Sequence, residues 1–160
     1  MRGESIFAFT ITKYDAIFGG PRFVPCFLGE KFPAADFLVL LNDHESEQIL
    51  FFFAQIKTTS RGYTKKGRLK IEVKKQDVLR LLSFPAPTYV VGIDDSDIEQ
   101  PQSFIVAVDG GKRNTISSIT TDYPLNELEQ LRRLWEDVVE FWEEYRADDK
   151  PSKLADSAWS

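Results

Sequence analysis

Cysteine, histidine and methionine each occur once in this 160-residue chain, and no apolar run approaches a membrane span. A lone Cys26 forms no internal disulfide, which fits a reducing compartment. One cysteine and one histidine also exclude zinc sites of the usual type. A transmembrane helix needs roughly 18 uninterrupted apolar residues, and none is found. The first residues, Met1-Arg2-Gly3-Glu4, lack the basic end and long apolar run of a signal peptide. The expectation is a cytoplasmic protein with no membrane association. Cys26 sits in an apolar stretch and reads as a buried thiol rather than a nucleophile. His44, in a polar turn, reads as solvated.

What the chain has in quantity is phenylalanine, 13 residues among 42% hydrophobic ones, enough for a well-filled core. The net charge is −5 and is unevenly spread. Between Lys57 and Arg80 nine basic residues stand against two acidic ones, so the remainder is strongly acidic. That stripe suits phosphates, and it equally suits a solvated loop and a helix's polar face.

The apolar spacing predicts a first helix over 5–18, with Gly19-Gly20 as its stop, although Phe7, Phe9 and Ile11 also alternate as in a strand. Two near-continuous apolar runs, 36–41 and 49–57, predict central strands joined by a polar turn over 42–48. The alternation Leu69-Lys70-Ile71-Glu72-Val73 predicts a strand, and 75–83 a short helix that Pro85 and Pro87 prevent from extending. Strands follow at 88–93 and 103–108. Gly110-Gly111-Lys112 lacks the spacing of a phosphate-binding loop and reads as a turn. An amphipathic helix runs from Leu125 to about Tyr145, with Trp135 and Trp142 on its core stripe. The expected architecture is α/β (α+β), a mixed sheet of four to six strands flanked by helices, as one domain over 1–146 with a flexible tail over 147–160.

If the first two strands form a hairpin, antiparallel pairing brings Asp36, at the start of one, close to Gln55-Ile56-Lys57, near the end of the other. Asp36 supplies a carboxylate oxygen, Gln55 a side-chain carbonyl and Ile56 a backbone carbonyl, all hard donors suited to Mg²⁺ or Mn²⁺. Lys57, two residues from Gln55, points to the same face. Its ammonium would orient a water or neutralise charge gathering on a phosphorane. The same residues also suit humbler roles: a loop-capping aspartate, a backbone-bonded glutamine and a surface cation.

Pro33-Ala34-Ala35-Asp36, a strand, and Gln55-Ile56-Lys57 closing the next strand resemble the signature of the PD-(D/E)XK nuclease superfamily. Glutamine in place of the acidic residue looks like the Mrr-type branch. It also looks like a family of uncharacterised domains with an Asp…Gln-x-Lys-Ser/Thr motif, a Pro-rich turn and a strand ending in Asp. The matching continuation is Thr58-Thr59, Phe84-Pro85-Ala86-Pro87 and Val90-Val91-Gly92-Ile93-Asp94, and the likeness covers roughly residues 1 to 109. The resemblance implies a restriction-endonuclease-like core. It makes Asp36 and Gln55 ligands of magnesium or manganese, Lys57 the catalytic cation, and Glu4 or Glu30 the acid completing the set. Arg61, Tyr63, Lys65, Lys66, Arg68 and Lys70 are the expected nucleic-acid contacts. The alternative is a nuclease fold without catalysis that binds nucleic acid or protein in a defence or mobile-element system. A third is a protein-interaction domain, or homodimer, using the long C-terminal helix.

Overall fold

The computed structural model describes residues 2–111, 113–145, 152–156 and 158. The first helix, α1, spans Arg2–Ile11 and buries Phe7 and Ile11, four residues apart, while Phe9 faces outward. It ends well before the expected Phe18. Tyr14–Asp15 (β1) and Gly20–Pro21 (β2) form a small antiparallel hairpin instead. The cause is Asp15, whose fully buried carboxylate receives Arg22 Nε at 2.7 Å, Arg132 Nε at 3.1 Å and the Ile17 N–H at 3.0 Å. Continuing the helix would break that cluster, and local spacing yields to it.

Five further strands make one sheet: β3 (Phe23–Phe27), β4 (Phe37–Leu41), β5 (Phe51–Thr59), β6 (Thr88–Asp94) and β7 (Gln102–Ala107), in the order β3-β4-β5-β6-β7. Only β5 and β6 are parallel, and helix α2 (Lys75–Ser83) lies in the crossover between them. Helix α3 (Leu128–Glu144) closes the described core. The expected mixed sheet flanked by helices is therefore present, with five strands. Two- and 3.6-residue periods give the sheet two apolar faces. Val39, Phe52 and Val91 turn toward α1 and toward Leu131, Leu134 and Val138 of α3. Val90 and Phe104 turn toward Val78 and Leu81 of α2. β6 is buried along its whole length, as befits a strand covered on both sides.

Three expectations change in detail. Segment 69–73 alternates as expected, with Leu69, Ile71 and Val73 buried, yet it joins no sheet. It forms isolated bridges to a second irregular segment, Leu69 with Ile119 and Val73 with Ile116. Helix α3 begins at Leu128 rather than Leu125, because the chain before it lies along β7: Leu125 N–H bonds Ser103 O at 2.8 Å and Pro124 bridges Phe104. Cys26 is exposed, not buried: it shares with Val24 the face of edge strand β3 that is left uncovered, and the ladder bonds of β3 to β4 fall at these same two residues. Phe23, Pro25 and Phe27 then present their backbones to the free edge, where Pro25 has no N–H to offer and blunts further pairing. Most of the expected tail, and Lys112 of the expected turn, lie outside the described residues. Among the described residues no helix is long and apolar enough to cross a membrane.

Candidate metal and nucleic-acid site

Strand parity positions the site. Phe53 N–H bonds the Pro87 carbonyl and Asp95 N–H bonds the Thr59 carbonyl, so Phe53, Gln55, Lys57 and Thr59 turn their amides toward β6. Ala54, Ile56 and Thr58 turn theirs toward β4. The register of β4 with β5 ends at Phe37–Ala54, so no strand residue stands opposite the Ile56 amide. Asp36 fills that gap. Its own N–H reaches Ala54 O at 2.9 Å, and its Oδ2 accepts the Ile56 N–H at 2.6 Å. The Ile56 carbonyl opens on the same side. Asp36 is thus bonded to the Ile56 backbone and within electrostatic reach of Lys57 where β4 stops, while no contact joins it to the Gln55 side chain.

The charges there are out of balance. Burial pushes the Asp36 carboxyl above the usual carboxylate range and the Glu4 charge adds to it, against the lowering effects of the Ile56 N–H and the Lys57 ammonium. Gln55, on the opposite face of β5 from Ile56, is buried, and its Oε1 has no hydrogen-bond partner. A buried amide oxygen without a donor is costly, and a cation would satisfy it. Lys57 is half-buried and lies in register with Gly92.

Of the two acids named as completing ligands, Glu4 is the one whose charge Asp36 feels. Helix α1 is held there because Gly3 packs directly on β5: a Cβ at Gly3 would collide with Thr58 Oγ1 and lie 3.5 Å from Ile56 Cγ2. Glu30 is exposed on the β3–β4 loop, with no hydrogen bond or ion pair drawing it to Asp36. Among the described residues no three His, Cys, Asp or Glu side chains form a metal-holding group. A cation would therefore rest on the Asp36 carboxylate and neutral oxygens, a set suited to weak binding of a hard ion.

The basic segment leaves the carboxyl end of β5 as an irregular hairpin. Tyr63 bridges Leu69, Thr64 N–H bonds Arg68 O at 2.8 Å, and Gly67, at φ 76°, closes the turn with its N–H on Thr64 O. The structure divides the six expected contacts. Arg61, Lys65 and Lys66 are exposed, and no hydrogen bond or ion pair engages their side chains among the described residues. Arg68 is already committed to Ser118, Nε to Oγ at 2.9 Å and Nη2 to the backbone carbonyl at 3.2 Å. Lys70 is half-buried, its N–H on Gly62 O. Tyr63 donates its hydroxyl to Asp94 Oδ2 at 2.7 Å, and burial and that carboxylate push it up to about 12.

Asp94 was not expected to matter beyond ending β6. Burial pushes its carboxyl up, but hydrogen bonds from Ser96 and Tyr63 outweigh this and leave it below the usual range. Ser96 supplies both its N–H, at 3.0 Å, and its hydroxyl, at 2.7 Å, to Oδ1. The signal was available, since Asp-x-Ser is a turn pattern in which the aspartate bonds the backbone two residues on. Asp94 thus anchors the basic hairpin to the end of β6.

The arrangement sets a carboxylate, a backbone carbonyl and an ammonium where β4 stops, with an orphaned amide oxygen buried on the same stretch of β5 and, beyond it, a hairpin with three cations that are uncommitted among the described residues. No family model, curated protein or solved structure matches this chain.

Proposed function

We propose that the Asp36 edge binds magnesium or manganese and that the domain hydrolyses phosphodiester bonds in nucleic acid. The observation that carries this reading is the Asp36 carboxylate standing in for the missing strand opposite Ile56, within the electrostatic reach of Lys57 and Glu4. The donors fit such an ion. Gln55 Oε1 has no other partner, Asp36 has an oxygen beyond the one on Ile56, and the Ile56 carbonyl opens on the same side. The ion, when bound, polarises the scissile phosphate and lowers the pKa of an attacking water. Lys57 supplies a fixed positive charge for the oxygen atoms gaining negative charge. Arg61, Lys65 and Lys66 hold flanking phosphates and contribute no sequence preference. The mixed sheet with helices on both faces supports reading the core as restriction-endonuclease-like.

The test is calorimetric titration of manganese into wild type and Asp36→Ala, followed by cleavage of DNA and RNA panels. Binding that Asp36→Ala abolishes is expected. Lys57→Ala should keep the ion and lose hydrolysis by about 100-fold or more, the range of one preorganised electrostatic contact. Absence of manganese heat in the wild type, or undiminished cleavage by Lys57→Ala, would overturn the mechanism. One observation favours a second reading, a catalytically silent binding module: the described residues hold no acidic triad. That module would bind nucleic acid equally well after Asp36→Ala and cleave none.

A further inference from the structure

Helix α3 carries its charges unevenly. Its first half holds Arg132 and Arg133, and Arg132 pairs with Asp15 and Glu129. From Glu136 onward come Asp137, Glu140, Glu143 and Glu144, with no cation in the last turn. Among the described residues no ion pair reaches any of these five acids. They also crowd the end of the helix where the macrodipole is negative and where cations, not carboxylates, are favoured. Among the described residues nothing offsets the unfavourable interaction of these carboxylates with the helix end.

Beside that end is a cavity of about 510 Å³ between α3, the end of α2 and the start of β6. Its apolar floor includes Leu82, Phe84 and Phe141, and its walls carry Asp109, Asp137, Glu140 and Glu144. Among the described residues no lysine or arginine lines it. The Tyr89 hydroxyl donates to Asp137 and fixes that carboxylate on the wall. Leu154, the large apolar residue of the described tail, stands 94% exposed, so it does not fill the groove. In the sheet, β5 stands between β6, which lines the groove, and the strand that Asp36 precedes.

We propose that this groove is a docking site for a basic, apolar-anchored segment of a partner protein. Leucine- or phenylalanine-like side chains would cover the floor, and lysines or arginines would meet the four carboxylates. Apolar burial supplies the affinity, and the single sign of charge supplies selection against acidic segments. Relief of the unfavourable charges at the end of α3 adds to both.

The probe is a fluorescein-labelled amphipathic peptide of lysine and leucine, with a glutamate–leucine peptide of equal length as its counterpart. Fluorescence anisotropy at physiological salt should show the lysine peptide binding and the glutamate peptide not. The double variant Glu140→Lys/Glu144→Lys should weaken binding about ten-fold or more, a difference of about 1.4 kcal/mol. Its melting temperature should rise, because the helix end now carries the favoured sign. Lost binding with raised stability would exclude misfolding as the cause. Glu45→Lys/Glu47→Lys, an equal change of net charge in the exposed turn after β4, should leave binding unchanged. Failure of the lysine peptide to bind, or equal weakening by the turn variant, would overturn the proposal. So would sedimentation showing that wild type self-associates and that the groove variant does not, since a second copy would then be the occupant.

Discussion

Asp15 and Asp36 both carry carboxylates withdrawn from water, and their surroundings act on them with opposite sign. Arg132 and Arg22 hold the Asp15 carboxyl far below the usual range despite its burial. A group whose folded pKa is lowered stabilises the protein fully above its unfolded pKa, about 4, and loses that contribution as pH falls below it. Asp15→Asn should therefore lower the melting temperature at pH 7 and flatten the acid limb of its pH profile. An unchanged acid limb would mean the cluster contributes nothing. For Asp36 the folded pKa is raised, so the ionised carboxylate opposes folding at neutral pH. Asp36→Asn keeps an oxygen for the Ile56 N–H and removes the repulsion from Glu4. It should melt higher than wild type in chelator while failing to bind manganese. A lower melting temperature would make Asp36 a structural residue. The two aspartates were also unequally legible. Asp36 could be paired with Gln55-Ile56-Lys57 from strand period and a hairpin alone. Asp15 could not, because one of its partners, Arg132, lies 117 residues away and nothing local to either marks the pair.

Between elements, the contact of α1 with β5 decides where Glu4 stands. Gly3 is buried against Ile56 and Thr58, and a methyl group there would meet Thr58 Oγ1 inside van der Waals distance. Alanine favours helix over glycine by about 1 kcal/mol at most, whereas overpacking a tight contact costs about 1–3 kcal/mol. Gly3→Ala should therefore destabilise the fold by about 1 kcal/mol in urea unfolding, and should weaken manganese binding by moving Glu4 from Asp36. Stabilisation would show that α1 is not seated so closely. The close approach was invisible beforehand, since the spacing of Ile6, Phe7, Ile11 and Ile17 pointed to a longer helix over 5–18. Strands β4, β5 and β6 and helix α2 were legible to within a residue or two because strong apolar runs and prolines bound them. Segment 69–73 shows where pattern stops short of topology: alternation announced which side chains turn inward, but not that the pairing partner would be the irregular segment carrying Ile116 and Ile119.

Across the whole molecule, an acidic protein can hold a polyanion only if its positive charge is gathered and its negative charge kept distant. The hairpin beyond β5 gathers it, while the C-terminal half of α3 carries five acids without a cation. At physiological ionic strength the screening length is about 8 Å, so phosphates at the hairpin feel its lysines and little of remote carboxylates. Each lysine on a phosphate releases counterions and steepens the fall of affinity with salt by about one unit in a double-logarithmic plot. Lys65 and Lys66 are exposed at the tip of the hairpin and are bound to nothing else among the described residues. Lys65→Ala/Lys66→Ala should therefore reduce that slope by about two and weaken DNA of different sequences alike. Arg68 presents a contrast, because its guanidinium is spent on Ser118. Arg68→Ala should lower thermal stability while leaving most of the salt slope in place. Anisotropy titrations of labelled duplex and single strands across a salt series measure both. A slope unchanged by the double lysine variant would remove the hairpin from the nucleic-acid interface.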